Sequence, residues 1–198
     1  MMVEIQYTGD ALWARMERAV ERVTQRMQKS VRVLDEAQIP YAVVGGNAVR
    51  AWVAQIDEAA VRTTKDVDIL IRPEDLPRMI EAMKEAGFHH RQTTGVDMFV
   101  EHEDDSARDA VHVILSGKMV REDDYEPNPD VEPCETKHEF RTLQLETLIR
   151  MKLNSYRLKD RVHLVDMIEI GLIDETWPSK FPEPLGQRLQ RLIDDPDA

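Results

Sequence analysis

Apolar residues recur at spacings of three and four between Asp10 and Gln38. Leu12, Met16, Val20, Val23, Met27, Val31 and Leu34 fall on one side of a single long helix. Ile39-Pro40 sets its end, because a residue that precedes proline is pushed out of the helical region. The period then changes. Tyr41 to Gly46 (YAVVGG) is a continuous apolar run stopped by two glycines, which reads as a short buried strand. NAVRAWVAQI follows as a helix that begins at the glycine pair.

Asp66 to Ile71 (DVDILI) predicts the next strand. Pro73 suits the first turn of a helix running through PEDLPRMIEAMKEAG, with Gly87 as its stop. VDMFVE and DAVHVILS read as two further strands, separated by the acidic EHEDDSARD. The segment from Arg121 to Glu135 (REDDYEPNPDVEPCE) is rich in prolines and acids and reads as a loop. Helical periodicity returns from Leu143 to Gly171, and PEPLGQRLQRLIDD adds a short final helix. Strands alternating with helices predict an α/β core over residues 1–142, with a helical C-terminal subdomain, 143–198, packed on it. No internal repeat or low-complexity tract is visible.

One strand is unusual. Asp66 and Asp68 head an apolar run, and buried charge is costly unless it meets a counter-charge or a metal. On a strand, residues two apart share a face, so the two carboxylates project together while Val67 points away. Two carboxylates side by side are hard ligands for a magnesium ion that also holds phosphates; alone they fit an exposed strand entry better. Gly45-Gly46 adds a second feature, since glycines at a strand-to-helix turn let backbone amides approach an anion. The pair lacks the Gly-Lys-Ser/Thr of a P-loop and the spacing of a dinucleotide fingerprint. Arg62 and Lys65 place positive charge beside the aspartates. Near the C-terminus, Lys152 falls inside an apolar stripe of Leu145, Leu148, Ile149 and Tyr156. It must either snorkel to water or point at something buried and negative.

Composition narrows the possibilities. The formal net charge of −12 disfavours nucleic acid and anionic membrane as partners except where basic residues cluster. Cys134 is the one cysteine, so there is no intrachain disulfide, as expected of a reducing compartment. No basic leader followed by an apolar run opens the chain, and no apolar stretch approaches the roughly 18 residues of a membrane span. The expectation is a cytoplasmic protein with no membrane contact.

The order VVGGNAV, RTTKDVDILI, MKLNSYRLKDRVHLVD resembles the nucleotidyltransferase superfamily with the DNA polymerase beta-like fold. It is similar in particular to the minimal bacterial nucleotidyltransferases grouped with abortive-infection toxin components. The matching positions are Gly45 and Gly46, with Asn47 opening the helix; then Arg62, Thr64, Asp66 and Asp68, with Lys65 among them outside the motif; then Lys152, Leu153, Arg157, Lys159 and Asp160. The match runs over roughly residues 30 to 172. The resemblance implies an α/β (α+β) fold, a mixed β-sheet flanked by helices, with a helical C-terminal part. It also implies transfer of a nucleoside monophosphate from a nucleoside triphosphate to a hydroxyl on a protein, a small molecule or an RNA end. Asp66 and Asp68 would hold Mg2+ or Mn2+, the glycine turn, Arg62, Thr64, Lys65, Arg157 and Asp160 would serve the nucleotide, and Lys152 would act at the reacting phosphate.

One position departs from the family pattern. Active members carry a third carboxylate at the centre of a neighbouring strand, and here that place falls to His112. Asp109, three residues earlier, faces the other side of a regular strand. A neutral histidine ligates some metals or acts as a base, but it is a poor magnesium ligand. Two readings follow: a metal-dependent transferase, and a relative that binds nucleotide or a protein partner without turnover. A third, an interaction subunit, would pair with another chain through the stripe of the long N-terminal helix.

Overall fold

A computed structural model of the chain describes residues 7–93, 95–122, 124–137 and 139–196. Helix α1 (Gly9–Glu36) leads into strand β1 (Tyr41–Val44), and helix α2 (Gly45–Val53) begins at the very next residue. Strand β2 (Val67–Ile71) is followed by helix α3 (Leu76–Glu85) and by strands β3 (His89–Thr93), β4 (Val96–Val100) and β5 (Val111–Leu115). Strands β6 (Cys134–Lys137) and β7 (Phe140–Leu143) complete the sheet, and helices α4 (Leu145–Ser155), α5 (Leu158–Glu169) and α6 (Glu183–Asp194) end the chain.

Among the described residues, seven strands form one mixed sheet in the order β3-β4-β5-β2-β1-β7-β6. β2 lies at its centre, antiparallel to β1 and parallel to β5. The strict alternation of the strands divides the interior in two. Tyr41, Val43, Val67, Ile69, Ile71, Val111 and Val113 face a layer made by α1 and α3. Ala42, Val44 and Leu70 face the other layer, made by α2, α4, α5 and α6. Asp66 and Asp68 lie in step with Leu70, so the carboxylates belong to the second layer and Val67 to the first, as the period of two requires.

Helix α1 starts one residue earlier and stops two residues sooner than its periodicity suggests, with Gln38 at φ 51 turning the chain into β1. Its stripe divides. Val23, Met27, Val31 and Leu34 are buried against the sheet, each contributing roughly 1.5–3 kcal/mol. Leu12 and Met16, with Trp13, stay exposed on the first turns.

Three expectations are corrected. The pattern misses β3 and β7 altogether, Leu143 closing β7 rather than opening a helix, and the loop expected over Arg121–Glu135 runs into β6 at Cys134. β3 and β6 are sheet edges, paired on one side only, so neither needs the continuous apolar run of a central strand buried on both faces. The single helical stretch expected from Leu143 to Gly171 is two helices. Tyr156 adopts the left-handed conformation (φ 43, ψ 32) and breaks the run between α4 and α5. No helix of the described residues is long and apolar enough to cross a membrane.

Candidate active site

The site forms where β2 and β5 begin and α2 starts. Asp68 pairs with Val44 on one side and His112 on the other, so the ladder itself sets Asp68 beside the end of β1. Gly45 turns the chain there at φ +65, and a Cβ on it would lie 1.9 Å from Asp68 Oδ2. A Cβ on Gly46 would lie 2.9 Å from Thr64 Oγ1. The two glycines are therefore required by close approach, and the first also by its backbone conformation. Any side chain there would push the carboxylate out of place.

Thr64 Oγ1 donates to Asp66 Oδ1 at 2.7 Å, and the Asn47 amide donates to the Asp66 carbonyl at 2.9 Å. Asn47 is buried and ties α2 to the chain just ahead of β2. Arg62 forks onto Asp166 of α5, with Nε at 2.6 Å and Nη2 at 2.9 Å. Lys159 Nζ lies 3.8 Å from Asp66 Oδ2. The segment from Arg62 to Asp66 is thus held along α5 at both of its ends. Lys65 is exposed between these anchors.

His112 stands opposite Asp68, with Nδ1 3.5 Å from Oδ1. Its Nε2 lies 2.8 Å from the Ala107 carbonyl, which can only accept, so Nε2 carries a hydrogen. The neutral ring therefore turns an Nδ1 lone pair toward the carboxylates. The hydrogen bond to Asp68 raises the imidazole pKa against the opposing effect of burial. Burial pushes Asp66 upward, but the Thr64 hydroxyl and the Lys159 ammonium outweigh it, and the carboxyl sits below its ordinary value. One ligand atom from each of Asp66, Asp68 and His112 lies within 4.8 Å of the others. Two hard oxygens and an imidazole nitrogen at this spacing fit a divalent cation, and nitrogen in the set favours manganese over magnesium.

A cleft of about 100 Å3 opens beside Asp68, lined among others by Gly45, Lys152, Arg157, Lys159 and Asp160. Lys152 takes the second of its two options and points at a buried negative charge, with Nζ 2.8 Å from Asp160 Oδ1 and side chains only 5% and 0% exposed. Asp160 also accepts from Ser155 Oγ at 2.5 Å and from Arg157 Nε at 2.7 Å. Burial alone would raise its pKa; Lys152 and Arg157 reverse that and hold the carboxyl far below the usual range. Arg157 has its own pKa lowered by burial, and the Asp160 carboxylate more than restores it.

The structure thus gathers Gly45, Gly46, Asn47, Thr64, Asp66, Asp68 and His112 at one point and Lys152, Arg157 and Asp160 beside it. Arg62 is engaged by Asp166 instead. The pattern of the sequence does not single out Asn154, which lines the cleft and accepts from Tyr125 N at 2.8 Å, nor does it join Asp166 to Arg62.

A mixed sheet with this aspartate pair, glycine turn and helical layer is the architecture of a nucleotidyltransferase. The sequence profile described as "uncharacterised nucleotidyltransferase" matches residues 10–153, well over half of the chain, and the chain belongs to that family. No curated protein matches its sequence. Several solved structures share the fold. The antibiotic-resistance factor ANT(2'')-Ia superposes with a TM-score of 0.54 at 13% identity, over 89% of this chain and 93% of that one. A nucleotidyltransferase-like antigen from Paracoccidioides brasiliensis gives 0.55 at 15% identity, over 90% and 91%. A nucleotidyltransferase described from H. pylori gives 0.53 at 16% identity, over 91% and 79%.

Proposed function

We propose that the protein transfers a nucleoside monophosphate from a nucleoside triphosphate to a hydroxyl acceptor, with a divalent cation held by Asp66, Asp68 and His112. The observation that carries this reading is the meeting of three ligand atoms at the glycine turn where α2 begins. A bound cation supplies charge neutralisation at the phosphates. Gly45 lets a phosphate oxygen approach the first amides of α2, where the helix dipole favours negative charge. Arg157 and Lys159, both at the cleft, face the remaining phosphate charge. Lys152 and Asp160 hold the α4–α5 corner that presents them. Positioning and electrostatics carry most of such a transfer.

The test is calorimetric titration of ATP with Mn2+ into the native protein and into the Asp66→Ala/Asp68→Ala variant, together with transfer of label from each of the four nucleotides to cell extract. Binding lost in the variant and label on a discrete acceptor support the reading. Equal affinity in both proteins overturns the site. A second reading is favoured by His112: binding of nucleotide without turnover. Tight, aspartate-dependent binding with no label from any nucleotide, with Mg2+ or Mn2+, would select it.

A further inference from the structure

We propose that the hollow between Tyr125, Tyr156 and Arg188 seats the base of the nucleotide whose phosphates enter the cleft at Gly45 and Asp68, a proposal that rests on the nucleotide-binding reading above. The hollow has a volume of about 470 Å3, and Glu183, Gln187 and Arg191 also line it. Its floor is a stack. The Arg188 guanidinium lies 4.6 Å from the Tyr125 ring centroid and 4.8 Å from that of Tyr156. Arg188 cannot swing away cheaply, since Nη1 donates to the Leu153 and Asn154 carbonyls at 2.6 and 2.8 Å, at the open end of α4. The Tyr156 hydroxyl in turn donates to the Arg188 carbonyl at 3.2 Å.

The hollow and the phosphate cleft share one wall. Asn154, Ser155 and Arg157 line the cleft, while Tyr156 between them lines the hollow. This division depends on the left-handed backbone of Tyr156, an unfavourable conformation for a bulky residue and a mark of a constrained position. The same division recurs on the facing loop, where Asp124 lines the cleft and Tyr125 the hollow. That loop is pinned. Asn154 Oδ1 accepts from Tyr125 N, Asn154 Nδ2 donates to the Glu126 carbonyl at 2.7 Å, and Arg150 forks onto Glu126 at 2.5 and 2.6 Å.

Tyr125 is nevertheless 57% exposed. An exposed aromatic ring, backed on one face by a fixed guanidinium and held one residue from a phosphate-sized cleft, is a stacking platform. Stacking is open to every base, because every base has a π-face. It supplies affinity without selecting among bases, and Tyr125 is the residue whose loss removes it.

The experiment compares ATP with inorganic tripolyphosphate, both with Mn2+, by calorimetry on the native protein and on Tyr125→Ala and Tyr125→Phe. The expected result is ATP affinity about tenfold weaker in Tyr125→Ala, tripolyphosphate affinity unchanged, and both affinities native in Tyr125→Phe. GTP, CTP and UTP should lose a similar factor. An equal loss for ATP and tripolyphosphate, or no loss for ATP, overturns the seat. So does a native protein that binds ATP no tighter than tripolyphosphate, which would leave the cleft reading standing. A native protein that binds neither defeats both.

Discussion

His112 faces Asp68 across the parallel β2–β5 ladder, and its far nitrogen is held by the Ala107 carbonyl. The ring is thereby fixed with one nitrogen toward the carboxylates, whichever charge it carries. A proton on that nitrogen and a cation at the site exclude one another.

His112→Asp should therefore convert the cluster into three carboxylates suited to magnesium. We expect Mg2+ affinity to rise about tenfold and the advantage of Mn2+ over Mg2+ to shrink. Calorimetry with each ion measures this. Unchanged affinity for both ions in the variant would show that residue 112 is not at the ligand position.

Gly45→Ala combines a strained backbone with a collision against Asp68. A loss of about 2 kcal/mol or more is expected, along with loss of nucleotide binding. Gly87→Ala provides the comparison, since Gly87 has φ +86 but meets nothing within 4 Å; backbone strain alone should cost about 1 kcal/mol there. Urea midpoints of the two variants separate the contributions, and equal losses would count against the close approach.

Lys152 and Asp160 form a buried pair, and removing one partner strands the other. Lys152→Met and Asp160→Asn should each cost about 3 kcal/mol. The double replacement, Lys152→Met with Asp160→Asn, should cost clearly less than the two single losses combined. Additive losses in a double-mutant cycle would show that the two side chains act independently.

His163 on α5 lies among Lys152, Lys159, Asp160 and Asp166, and its Nδ1 is buried without a hydrogen-bond partner. Burial, then the nearby Lys152, lowers its pKa from 6.5 to about 4. The unfolded chain thus takes up a proton at a higher pH than the folded one. The stability associated with neutral His163 is complete above about pH 6.5 and is lost as pH falls toward about 4. Replacing it with glutamine should flatten that limb in a series of urea unfolding curves, and an unchanged limb would assign the pH dependence elsewhere.

Much of this was legible in the sequence because the central strands obey strong rules. Asp66 and Asp68 could be placed on one face from a period of two, and Gly45-Gly46 from the abrupt change of period. Lys152 was readable as an anomaly in an apolar stripe. Its partner was not, because Asp160 lies across a helix break at Tyr156 that no glycine or proline announces. β3 and β6 were illegible for a related reason. A strand paired on one side and wet on the other imposes little on composition, so HHRQT and CETK carry no signal. From its own segment Arg62 suits a phosphate or the neighbouring aspartates, and nothing local announces Asp166, which approaches it from 104 residues away.

Asp160 has a further consequence for how a nucleotide would enter. Around the cleft, the cations Arg121, Lys152, Arg157 and Lys159 are matched by the carboxylates Asp68, Asp124 and Asp160, with Asp66 beside Lys159. The cleft is close to electroneutral, within a chain whose net charge is −12. A naked triphosphate meets no surplus of positive charge there. On the proposed function, nucleotide and cation would then arrive as one complex or in strict succession, and saturation curves for either should depend steeply on the concentration of the other.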